Sequence, residues 1–87
     1  MITKSFLIES WMITKYSLNG NELVGFAFLW KRTNGGKEKY EGGYSELAAA
    51  IGVTIPTTYN VLRKLTERGL LEFGGVRDGI RVTAQAA

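Results

Sequence analysis

The sequence predicts a mainly helical α+β fold of three to four helices followed by a C-terminal β-hairpin. Apolar residues recur with the 3.6-residue period of a core-facing helix over residues 20–32 and again over residues 54–68. Beyond these come two short strand-like runs, residues 70–73 and 80–83, on either side of a glycine-rich turn at residues 74–79. A chain of 87 residues buries only a little over about 60% of its unfolded surface. Residues 1–87 are therefore expected to form a single domain with no room for a deep enzymatic cleft.

The first segment predicts a short strand at residues 5–9 and a helix over residues 10–17. Asn19 then stands as a helix N-cap, with Glu22 three residues on in the position of a capping box, and a helix over residues 20–32 follows. Leu23, Phe26, Ala27 and Trp30 lie at i, i+3, i+4 and i+7 and form its core stripe. Val24, Phe28 and Leu29 lie off that stripe. A helix apolar nearly all round is either the centre of its domain or half of a dimer contact, so these three are the candidate dimer residues. Trp11, Trp30 and the phenylalanines are expected to fill the core.

Residues 33–37 have turn chemistry, and residues 40–42 are a candidate for a very short strand. Gly43 as N-cap and Glu46 at N3 open a helix over residues 44–51, which Gly52 ends. Thr54 caps the next helix, whose first turn tolerates Pro56 because that N–H would lack an intrahelical partner. Gly69 stops it before the hairpin.

Composition narrows the chemistry. At 45% hydrophobic and 22% charged residues the chain is an ordinary globular one. It contains no Cys and no His, which excludes disulfides, Cys/His zinc sites, thiol nucleophiles and imidazole acid–base catalysis. Its carboxylates form neither a catalytic pair nor an oxygen-ligand cluster. No enzymatic activity, cofactor, metal or small-molecule ligand is therefore expected. Phe6, Leu7 and Ile8 are interrupted by Glu9, unlike a signal peptide, and the apolar run 23–30 is too short to cross a bilayer. A cytoplasmic protein with no membrane partner is expected. A net charge of +3, from 11 Lys and Arg against 8 Asp and Glu, is compatible with a nucleic-acid partner and weak as a signal alone.

The stronger signal is local. Two short helices joined by Gly52, Val53 and Thr54, with small residues Ala48 and Ala49 on the first, permit the close crossing of a helix-turn-helix. In the second helix Thr58, Val61, Leu62 and Leu65 share the inward face. Ile55, Pro56, Thr57, Tyr59, Asn60, Arg63 and Lys64 remain outside, a mixture of hydrogen-bonding, aromatic and basic groups suited to a DNA major groove.

Read together, the runs Ser45-Glu46-Leu47-Ala48, Ile51-Gly52-Val53-Thr54, Pro56-Thr57, Leu62-Arg63-Lys64-Leu65 and Glu67-Arg68-Gly69-Leu70-Leu71 resemble, over roughly residues 43–83, the winged helix-turn-helix domains of bacterial regulators. A weaker resemblance, carried by Trp11-Met12, by Leu18-Asn19-Gly20-Asn21-Glu22-Leu23 and by Phe26-Ala27, is to the N-terminal domains of phage and plasmid replication-initiation proteins. The resemblance implies double-stranded DNA binding, either in a small transcriptional regulator or in a replication-initiation domain. It implies base-edge contacts from Ile55, Thr57, Tyr59 and Asn60, with Asn60 suited to adenine, and phosphate contacts from Arg63 and Lys64. It also implies that the wing turn brings Arg77 to a flanking minor groove or phosphate, with Arg81 on the supporting strand as a second candidate. Pairing through the amino-terminal helices would give a homodimer reading half-sites about 10 base pairs apart. The alternative expectation is a non-catalytic assembly domain whose apolar helix 20–32 recruits a protein partner.

Overall fold

The structure, a computed structural model, describes residues 8–73 and 79–85. Four helices run in chain order: α1 (Ser10–Thr14), α2 (Gly20–Arg32), α3 (Tyr44–Ile51) and α4 (Ile55–Glu67). Strands β1 (Leu71–Phe73) and β2 (Ile80–Val82) follow and pair antiparallel with Leu71 opposite Val82, Glu72 opposite Arg81 and Phe73 opposite Ile80. Tyr40 adds a single bridge to Ile80, sending its N–H to the Ile80 carbonyl at 2.8 Å and accepting the Ile80 N–H at 3.0 Å. The expected short strand at residues 40–42 is thus one bridging residue on the hairpin's flank. This is the mainly helical α+β fold with a C-terminal hairpin that the sequence predicts.

Helix α1 is shorter than expected. Ser17 takes a φ of 57°, a left-handed conformation that an L-residue helix cannot continue through, and the helix ends at Thr14. Its Trp11 and Met12 are buried, and the Trp11 ring lies 4.8 Å from Trp30 and 5.8 Å from Phe26 of α2. The strand expected at residues 5–9 falls largely outside the described residues; Ile8 and Glu9 carry no regular structure.

Helix α2 is the centre of the molecule. Phe26, Ala27, Phe28 and Leu29 are all buried, and one hydrophobic cluster joins them to Leu47 of α3, Val61, Leu62 and Leu65 of α4, and Leu71, Ile80 and Val82 of the hairpin. Gly25 lets α2 approach both helices of the second half: a Cβ there would stand 3.1 Å from Ile51 Cδ1 and 3.2 Å from Val61 Cγ1. This corrects one expectation. Phe28 is 2% and Leu29 0% exposed, so the chain's own core occupies them, and Val24 is half-buried. Of the three residues expected at a dimer contact, Phe28 and Leu29 belong to the chain's own core and Val24 alone keeps partial exposure. A charge placed at Phe28 would disrupt the fold itself.

One capping expectation changes as well. The Asn19 side chain makes no capping bond, Gly20 opens α2 at a left-handed φ of 56°, and the Glu22 carboxylate lies 3.8 Å from Arg68 at the end of α4. Glu46 accepts from Arg32 at 2.6 Å and from the Tyr40 hydroxyl at 3.0 Å, tying the end of α2, the bridge residue and the start of α3 together. The Arg32 guanidinium also lies over the Phe28 and Tyr40 rings, at 5.4 and 5.3 Å. Burial is the main cause that pushes the Tyr40 phenol above its ordinary range, and its bond to Glu46 adds to it.

Candidate nucleic-acid interface

The helix pair α3–α4 is built locally. Gly52 ends α3 in the left-handed region at φ 88°, and its N–H and that of Val53 both reach the Ala48 carbonyl, at 2.8 and 3.0 Å. Two residues later Thr54 caps α4, its Oγ1 accepting the Thr57 N–H at 3.4 Å, and Pro56 sits in the first turn as the sequence predicts. A sharp turn of this kind, between an αL stop and a Thr cap, sets two short helices across one another.

The four residues expected to face inward from α4 do so: Thr58, Val61, Leu62 and Leu65 are buried. Thr58 satisfies its hydroxyl by donating to the Thr54 carbonyl at 3.0 Å. Pro56, Asn60, Arg63 and Glu67 lie on the opposite side of the helix and are exposed. Two flanks separate these faces. Toward α2, Thr57, Asn60 and Lys64 line a surface recess of about 290 Å³ with Asn19, Asn21 and Glu22. Toward α3 lie Ile55 and Tyr59, 41% and 44% exposed. The Tyr59 ring is tilted against that of Tyr44 at 4.7 Å, and Tyr44 meets Phe73 of β1 edge-on at 5.8 Å.

Ile55, Pro56, Thr57, Tyr59, Asn60, Arg63 and Lys64 therefore share one helix, all exposed except the half-buried Thr57. Arg81 stands apart on β2, exposed and opposite Glu72 on the outward face of the hairpin. Arg77 and the wing turn lie outside the described residues. Among the described residues no ion pair engages Arg63, Lys64 or Arg81. Arg68 differs, since it donates to the Tyr16 carbonyl and faces Glu22, so its charge fastens the end of α4 to the N-terminal elements.

Tyr44 is the residue that sequence reasoning missed. It occupies the first turn of α3, four residues before the buried Ala48, and its ring lies between Tyr59 of α4 and Phe73 of the hairpin. Burial, and after it the neighbouring Tyr59, raise its phenol above the ordinary range. Its place in the Leu47–Ala48 stripe was visible in the sequence, but its neighbours on α4 and β1 were not.

A helix pair crossing at a tight turn, an exposed polar and basic second helix and an adjoining hairpin define the winged helix-turn-helix, the DNA-binding domain of many bacterial regulators. Residues 37–75, a little under half of the chain, match the family described as the IclR helix-turn-helix domain. That span holds the Tyr40 bridge, α3, α4 and β1. It leaves out the residues of α1 and α2 that carry the weaker likeness to replication-initiation proteins. No curated protein and no solved structure matches the chain. No helix among the described residues is long and apolar enough to cross a membrane.

Proposed function

We propose that the protein binds double-stranded DNA as a transcriptional regulator, with α4 lying in the major groove and the hairpin against the flanking backbone. The observation that carries this reading is the division of α4 into a buried apolar face and an exposed face whose cations have no acidic partner among the described residues. Asn60 and Arg63 point most directly away from the core and take the base edges; a side-chain amide matches adenine and a guanidinium matches guanine. Lys64, on the flank beside the recess, takes a phosphate of one strand. Arg81 takes a phosphate beside the hairpin, with Arg77 at the wing turn as a further candidate. No bond is made or broken. The protein acts by occupying its site.

The test is a fluorescence-anisotropy titration of random-sequence duplex across a range of salt concentrations, followed by selection from a randomised duplex library. Binding that weakens linearly in log–log form with salt is expected, and Lys64→Ala should lower the slope by about 1. Absence of binding at low salt would overturn the reading. The selected sequence also counts the copies bound: a lone half-site reports one, and a palindrome with centres about 10 base pairs apart reports two.

A further inference from the structure

We propose that Ile55 and Tyr59 recognise thymine through its C5-methyl group, so that one end of the target is read by apolar contact rather than by hydrogen bonds. This rests on the DNA-binding reading above. Both side chains are large, apolar in body and exposed, at 41% and 44%. They lie four residues apart, on one flank of α4, and Arg63 continues the same line one turn further on. Exposed apolar surface costs solubility and would ordinarily turn into the core. Here Tyr59 is instead held in place: its ring rests on Tyr44 at 4.7 Å, and Tyr44 is fixed in turn by Phe73 at 5.8 Å. The three rings join α4, α3 and β1, so the free edge of Tyr59 is presented at a set angle to the hairpin.

The occupant follows from the mixed chemistry of that line. Two apolar groups followed by a cation with no acidic partner among the described residues suit a polyanion that carries apolar groups in its groove. In the major groove the thymine methyl is such a group, and its position beside the phosphates places it within reach of a helix that also contacts the backbone. Ile55, in the first turn of α4, and Tyr59 then cover adjacent base steps, next to those read by Asn60 and Arg63.

Replacing thymine by deoxyuridine removes the methyl and leaves the base pair and the phosphates intact. Each thymine of the selected duplex is replaced in turn, and affinity is measured for the unmodified protein, Ile55→Ala and Tyr59→Phe. At one or two positions the replacement should weaken binding about fourfold, the worth of one buried methyl-sized group. The loss should shrink toward nothing in Ile55→Ala where Ile55 touches that methyl, persist in Ile55→Ala where the Tyr59 ring does, and persist in Tyr59→Phe in either case, and the salt slope should not change. Tight, selective binding that is indifferent to every replacement overturns this inference and leaves DNA binding standing. Loss of the thymine preference in Tyr59→Phe also overturns it, because the hydroxyl would then be the reader. Failure to bind any duplex removes both readings.

Discussion

Helices α2 and α4 are each 13 residues long and pack against one another, yet they do opposite work. From Gly25 to Leu29 every residue of α2 is buried, whereas α4 buries only Thr58, Val61, Leu62 and Leu65 and leaves the rest outward or half-covered. The difference lies in sequence period. An apolar set spread around a helix must find partners on several sides, so α2 holds α1, α3, α4 and the hairpin together. A single apolar stripe fixes a helix from one side and leaves the other free, so α4 presents a polar surface to solvent. In a domain this small, dividing the labour between two helices keeps an exposed polar face away from the core.

The largest effect that would separate the two helices is on stability. Phe26→Ala, at a site with no exposure, should destabilise the fold by about 3–5 kcal/mol in urea denaturation followed by circular dichroism. Arg63→Ala should leave the unfolding midpoint within about 0.5 kcal/mol of the unmodified protein. DNA affinity should show the reverse. Asn60→Ala and Arg63→Ala should each cost about 1–3 kcal/mol on a selected duplex and relax preference at one base position, read by anisotropy against single-base variants. An outward-face α4 substitution that unfolds the chain, or a solvent-face α2 substitution that abolishes binding, would break the comparison.

A smaller effect tests the clasp between the two helical halves. Tyr40 and Tyr44 are both held above the ordinary phenol range, about 10, chiefly by burial. Above that pH the unfolded chain loses phenolic protons that the folded chain keeps, so the unfolded state binds fewer protons and stability falls as pH rises. Denaturation midpoints should therefore hold steady up to about pH 9 and then decline, with a shallower decline in Tyr40→Phe. A Tyr40→Phe curve parallel to that of the unmodified protein would show that the clasp does not titrate in this way.

The course of α4 was legible in the sequence because every signal that sets it is local. Thr54, Pro56 and the spacing of Thr58, Val61, Leu62 and Leu65 act within the helix itself, and Gly52 and Gly69 bound the unit. The partners of α2 were not legible. Its all-round apolar pattern states that Phe28 and Leu29 will be covered but not by what, and only the crossing of α3, α4 and the hairpin decides for the chain's own core over a second copy. The partners of the acidic residues were hidden in the same way. Glu22 and Glu46 stand at capping positions, and Arg68 and Arg32, distant in sequence, arrive beside their carboxylates. The aromatic contact of Tyr59 with Tyr44 was hidden likewise, since it depends on how α3 and α4 cross.

The most direct test of the outward face of α4 is amide chemical-shift mapping on isotope-labelled protein as duplex DNA is added. The shifts should concentrate at Thr57, Asn60, Arg63 and Lys64, with a second set at Arg81, while the buried run from Phe26 to Leu29 stays nearly still. Shifts confined to α1 and the solvent side of α2, with α4 unchanged, would contradict the account.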